Sequence, residues 1–114
     1  MSYNLFLDDI RTPDMVYVNP EVFNFKIVRT YDAFIACIKQ HGLPKYISFD
    51  NDLGLNTKGA VAEDGYAAAK WLVYDSGLDL RQLKFYVHSA NPVAAKQIEA
   101  LLNNYIAYLK KENS

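Results

Sequence analysis

The sequence predicts an α/β domain with an open parallel sheet, and three observations carry that prediction. Short apolar runs of strand length alternate with segments of helical periodicity, the pattern of right-handed βαβ units. Three of these runs stop at residues able to carry chemistry: Asn4-Leu5-Phe6-Leu7 at Asp8-Asp9, Tyr46-Ile47-Ser48-Phe49 at Asp50-Asn51-Asp52, and Phe85-Tyr86-Val87 at His88-Ser89. Turn and cap residues punctuate the boundaries between runs. The 114 residues form a single domain by length, spanning 1–114.

Taken in order, Tyr3 to Leu7 reads as a buried strand bounded by an acidic turn. Arg11 to Asn24 carries Pro13 and Pro20 and few helix formers, so it reads as an irregular crossover with one short helical turn. Phe25 to Arg29 is the second strand, with Ile27 and Val28 expected in the core. Thr30 caps a helix that runs to about Gln40, buries Phe34, Ile35 and Ile38, and ends at Gly42 and Pro44. Lys45 to Phe49 is the third strand. A loop from Asn51 to Ala62, with Gly54 and Gly59, leads to a helix over about Glu63 to Asp75 that stops at Ser76-Gly77. Leu83 to Val87 is the fourth strand. Asn91 caps the last helix, with Pro92 at its first position, where the missing N–H costs nothing. Ile98, Leu101, Leu102, Tyr105 and Leu109 repeat at helical spacing, and the polar tail from Lys110 to Ser114 is expected to fray.

The composition narrows the function classes. Formal charge is −1, so counterion release does not favour binding to duplex DNA. No run reaches the length of a membrane span and no secretory leader is evident, which sets a cytoplasmic expectation. The lone Cys37 lies in a helical pattern and reads as a small buried hydrophobe. No P-loop, dinucleotide glycine fingerprint, zinc spacing or nucleophile elbow is present.

Neighbouring parallel strands end on one edge, and ligands bind in the crevice outside those ends. Asp8, Asp9, Asp50, Asp52 and His88 should therefore converge from distant parts of the chain. The carboxylates are hard oxygen donors suited to Mg²⁺ or Mn²⁺, the expected cofactor. The plainer readings are a solvated acidic turn, with Asp9 as a cap, and a turn at Asp52-Leu53-Gly54. His88 ends a strand and can exchange a proton near neutral pH, or be a core histidine bonded at the sheet edge. Asp50 and Asp9 are the other candidate acid–base groups. Ser89 and the N–H groups after Asn91 could hold an anion at a helix start. Arg11 could clamp a phosphate or pair with Asp8. Lys58 lies on the long loop, His41 sits at a helix end where its charge suits the dipole, and Lys70 and Lys96 read as surface residues. Tyr17, Tyr66 and Tyr86 are candidates for base stacking, although most tyrosines sit at core spacings.

These motifs resemble the response-regulator receiver domain, whose acidic pair and single Asp hold Mg²⁺ and accept a phosphoryl group. The likeness implies a three-layer, flavodoxin-like parallel sheet of four strands in the order 2-1-3-4. It departs at the end, where no fifth strand carries the lysine that stabilises the transferred charge. The fuller string Leu7-Asp8-Asp9-Ile10-Arg11-Thr12-Pro13, Ser48-Phe49-Asp50-Asn51-Asp52-Leu53-Gly54, Gly65-Tyr66, Lys70-Trp71-Leu72 and Val87-His88-Ser89-Ala90-Asn91-Pro92 is similar to the cyclic-phosphate-processing receiver-like family. That resemblance runs from Leu5 to about Tyr105. It implies a bacterial or phage protein, in a family that includes a phage modifier of suppressor transfer RNAs. The expected partner is a cyclic-phosphate nucleotide or RNA end, and the expected site is Asp8, Asp9, Arg11, Asp50, Asp52, His88, Ser89 and Asn91. Asn51 stands where many relatives are expected to carry a histidine. The function so implied is hydrolytic opening of a cyclic phosphate. Binding without turnover, as a nucleotide-sequestering module, is the rival, and a phosphoacceptor receiver domain is the third reading.

Overall fold

The computed structural model describes residues 3–53 and 64–112. Expectations that fall on 54–63, including Gly54, Lys58, Gly59 and Glu63, and on Asn113 and Ser114, lie outside the described residues. Four parallel strands, β1 (Asn4–Leu7), β2 (Phe25–Val28), β3 (Tyr46–Phe49) and β4 (Lys84–Val87), form one sheet in the order β2-β1-β3-β4. Three helices follow strands: α1 (Tyr31–His41), α2 (Gly65–Tyr74) and α3 (Pro92–Glu112).

The strand order fixes where the helices lie. The β2→β3 and β3→β4 connections run in the same direction across the sheet. Right-handed crossovers then place α1 and α2 on one face, and α3 packs beside α2. Leu5, Leu7, Ile47 and Phe49 from this face join Phe34, Ile38, Ala68, Leu72, Ile98 and Leu102 in one core. The β1→β2 connection runs the other way, so its crossover covers the opposite face. It makes two 3-10 turns, Pro13–Met15 and Pro20–Val22, rather than one. The third layer is therefore an irregular segment, whose Tyr17 and Phe23 rings pack on Phe25 and Tyr46.

Local chemistry explains the element ends. Thr30 Oγ1 accepts the Ala33 N–H and starts α1, and Asp64 Oδ1 accepts the Ala67 N–H and starts α2. Gly42, at φ 85°, closes α1 in a conformation that L side chains avoid.

Two expectations are corrected. Ile27 is 42% exposed, because β2 is an edge strand and Ile27 points to the thinly covered face. Val28 does pack against the core. Lys110 to Glu112 continue α3 rather than fraying, and Ile106, which the periodicity reading missed, is buried beneath that last stretch.

Candidate active site

Asp8 and Asp50 extend the two central strands, β1 and β3, and His88 extends β4 beside them. Pairing continues one residue past each strand, with the Asp50 N–H on Leu7 O at 2.9 Å and the His88 N–H on Phe49 O at 2.8 Å. The three side chains therefore meet at the carboxyl edge of the sheet, as parallel strands require. Their ligand atoms all lie within 4.8 Å of one another.

Asp8 is fully buried and fully bonded. Oδ1 accepts the N–H groups of Ile10 and Arg11 at 3.0 and 2.8 Å. Oδ2 meets His88 Nε2 at 2.9 Å. Burial opposes ionisation of Asp8, but these N–H groups and His88 together outweigh it and hold the carboxyl below its usual range. His88 is shifted down in turn, because the cost of burying its charge exceeds the help from Asp8. Its side chain is only 2% exposed and its ring stacks on Phe6 with centroids 4.7 Å apart.

The second ring nitrogen is also taken. His88 Nδ1 lies 2.7 Å from Ser48 Oγ, and Ser48 Oγ accepts the Tyr17 hydroxyl at 2.8 Å. Ionised Asp8 can only accept, so Nε2–H donates to it, and in the neutral ring Nδ1 accepts the Ser48 hydroxyl proton. His88 stands at the strand end as expected, but both nitrogens are engaged within the chain.

Asp50 behaves differently. It is 6% exposed, and its carboxyl is pushed up to about 6 by burial and then by the Asp8 charge, with Asp9 adding to the repulsion. The Asn51 N–H, at 2.9 Å from Oδ1, and Arg11 only partly offset this. Arg11 Nη1 lies 3.6 Å from Asp8 Oδ2 and 3.9 Å from Asp50 Oδ1, and donates to His88 O at 3.3 Å. One guanidinium thus faces two carboxylates.

The other expected residues sit around this centre. Asp9 is half-buried and Asp52 exposed, and among the described residues neither joins the three-ligand group. Ser89 Oγ accepts the Asn91 N–H at 3.1 Å. Asn91 Oδ1 accepts the Val93 and Ala94 N–H groups, so the cap occupies donors that were expected to hold an anion. Pro92 supplies no N–H, so among the described residues the phosphate-binding candidate left beside the acidic pair is the Arg11 guanidinium.

Sequence reasoning missed four supports. Ser48 and Tyr17 orient His88 across long sequence separations. Arg29, at the end of β2, donates to Asp8 O and Arg11 O and braces the loop after β1. Asn51 is buried, and its backbone O and Oδ1 accept the Gly65 and Tyr66 N–H groups. It therefore ties α2 to the residue after Asp50. Gly65 permits this contact, because a Cβ there would lie 2.0 Å from Asp50 O. Gly65→Ala should cost about 3 kcal/mol or more, at or above the upper end of ordinary overpacking, since rigid backbone must move. Urea unfolding reads this directly, and a change below about 1 kcal/mol would show that the approach is not tight.

The two carboxylates fit a divalent cation in donor type and spacing, whereas His88, with both ring nitrogens engaged, would have to give up its bond to Asp8 or Ser48 to join them. Arg11 now balances the charge of the same two carboxylates. Among the described residues no helix is long and apolar enough to cross a membrane.

Comparison with known proteins extends this picture. A family model described as the cyclic-phosphate processing receiver domain matches residues 3–104. No curated protein matches the chain. One solved structure, described as the yeast Spc42 trimeric coiled coil, amino acids 181–211, fused to another structure, aligns with a TM-score of 0.58. The identity is 14%, with 97% of this chain and 83% of that one covered, so the likeness speaks to fold alone.

Proposed function

The chain belongs to the cyclic-phosphate processing receiver family, and on that premise we propose that it opens a cyclic phosphate by hydrolysis, at an RNA end or in a nucleotide signal. The observation that carries this reading is Asp50: a buried carboxyl with its pKa raised to about 6, facing the Arg11 guanidinium. Hydrolysis needs a group that takes a proton from water near neutral pH and a fixed positive charge for the phosphorane-like transition state. Asp50 supplies the first and Arg11 the second.

In this reading Asp50 removes a proton from water as its oxygen attacks phosphorus. One P–O bond to the ribose breaks, and the proton passes from Asp50 to the departing oxygen, leaving a phosphomonoester. Arg11 binds the non-bridging oxygens, with Ser89 beside it. His88 serves as a positioning residue, holding Asp8, which in turn fixes the Arg11 backbone. Burial and the Asp8 charge keep Asp50 basic, with a smaller contribution from Asp9. Asp8 and Asp50 would hold Mg²⁺ or Mn²⁺, which would neutralise phosphate charge when bound and lower the Asp50 carboxyl, so the proton transfer above belongs to the metal-free protein; Asp52 stands outside that set.

The test is turnover of 2′,3′-cyclic nucleotides and cyclic-phosphate RNA, followed by chromatography, in Mg²⁺, Mn²⁺ or chelator. Opened product, with kcat/KM rising through about pH 6 as Asp50 ionises, is the expected result. Tight binding without product would replace this reading with sequestration.

A further inference from the structure

From Arg11 a cleft extends past the acidic centre onto side chains to which the phosphate chemistry gives no role. It has a volume of about 210 Å³ and is lined by Arg11, Met15, Val16, Tyr86, His88 and Ser89. Sites that enclose a drug-sized molecule run to roughly 300–1,000 Å³, so this one suits a single heterocycle held from one side.

Two of its walls are large side chains open to solvent. Tyr86 is 52% exposed and Met15 is 68% exposed, although both are large and apolar-bodied. Their exposure has a structural origin. Tyr86 lies on edge strand β4, on the sheet face that no helix covers. The crossover covers that face only in part: Tyr17 meets the Tyr86 ring edge-on at 6.3 Å. Packing on one side thus orients the Tyr86 ring while much of it stays open to solvent.

We infer that this cleft is a nucleoside subsite, in which the base attached to the cyclic phosphate stacks on Tyr86 against Met15 and Val16. This inference rests on the proposed function, because it takes Arg11 as the phosphate end. Three features of the cleft match a nucleoside cyclic phosphate. Arg11 belongs to both the acidic centre and the cleft, so a ligand can reach from one to the other. Tyr86 offers an aromatic face of the kind on which any base stacks. The Met15 thioether adds a polarizable contact that adapts to purine or pyrimidine. Among the described residues no carboxylate lines the cleft to oppose a phosphate-bearing ligand. The predicted substrate class is a nucleoside 2′,3′-cyclic phosphate, free or at an RNA terminus, bound with little preference among bases.

The experiment compares cytidine and adenosine 2′,3′-cyclic phosphates with base-free ribose 2′,3′-cyclic phosphate. Wild type, Tyr86→Ala and Tyr86→Phe are measured by kcat/KM and by calorimetric binding. Wild type should favour the nucleotides over the base-free sugar. Tyr86→Ala should reduce that preference by roughly 5–150-fold, the worth of one base–aromatic stack, and Tyr86→Phe should keep it. Circular dichroism confirms that the exposed substitution leaves the fold in place. Equal treatment of nucleotide and base-free sugar by wild type would overturn the subsite and leave the proposed function standing. So would an unchanged preference in a folded Tyr86→Ala protein. No binding and no opening of any cyclic phosphate by wild type would overturn both.

Discussion

Asp50→Asn is expected to cut cyclic-phosphate opening by roughly 10²–10⁴-fold, the usual worth of a positioned proton-transfer group, while making the protein more stable at neutral pH. The two effects share one cause. The carboxyl is raised from 3.8 to about 6, so holding it ionised costs roughly 3 kcal/mol in the folded state. A group raised in this way contributes stability below its unfolded value and loses that contribution as pH climbs through the folded one. Wild type should therefore lose Asp50's contribution between about pH 4 and pH 6, and the amide should not. His88 works in the opposite direction, because its lowered pKa makes acid destabilising. The comparison between wild type and Asp50→Asn isolates the carboxyl. Melts from pH 4 to pH 8 should show a gap that opens in favour of the mutant and levels off above about pH 7. A mutant that melts lower than wild type at pH 8, or keeps full activity, would exclude Asp50 as the group that takes the proton from water.

His88→Ala should produce the largest loss of stability of any single substitution in the site, roughly 3–5 kcal/mol, the range for a buried pair stripped of one partner. The ring is almost fully buried on Phe6, and its removal leaves a cavity beside a buried Asp8 carboxylate. Asp8 Oδ2 would keep only Arg11, at 3.6 Å. Ser48 would lose the acceptor for its proton. The midpoint of thermal unfolding should fall by more than about 10 °C, and binding and turnover should decline together as the folded fraction falls. The contrary result is clear. A His88→Ala protein that melts within about 2 °C of wild type, binds nucleotide normally and has lost turnover would make the imidazole the proton-transfer group.

The sheet was readable because its strands are short apolar runs between strong stops. Leu5-Phe6-Leu7 and Ile47-Ser48-Phe49 lie in central strands, covered on both faces, and therefore show unbroken apolar character apart from Ser48. The convergence of Asp8, Asp50 and His88 followed from topology alone, since parallel strands end together. What topology does not supply is the direction and company of a side chain. Ile27 resembles its neighbours in sequence, yet an edge strand on the thinly covered face leaves it exposed. Ser48 looks like a polar lapse in a buried strand, and only its contact with Tyr17, from the far crossover, gives it a purpose. Asn51 and Gly65 owe their roles to the approach of α2 to the end of β3, a distance that no local pattern encodes. His88 was legible as important, but whether its nitrogens faced solvent or Ser48 and Asp8 depended on those same contacts.

The crossover from Arg11 to Asn24 has a bearing on affinity as well as on shape. It carries Arg11 at one end, Met15 in its first 3-10 turn and Tyr17 soon after, so the proposed phosphate clamp, one wall of the cleft and the brace on Ser48 belong to a single stretch of chain. That stretch is held by the Asp8 carboxylate, by Arg29 and by the Tyr17 and Phe23 rings, and many of its other side chains are exposed. Irregular segments with many exposed side chains open more readily than the sheet beneath them. Were this one to lift, all three contributions would leave together, while the acidic residues stayed on the strands. The apparent dissociation constant of a ligand is then the intrinsic one divided by the fraction of molecules with the segment closed. Substitutions at Pro13, Pro20 or Asn24 can thus weaken binding without touching any ligand, by changing how often a complete site exists.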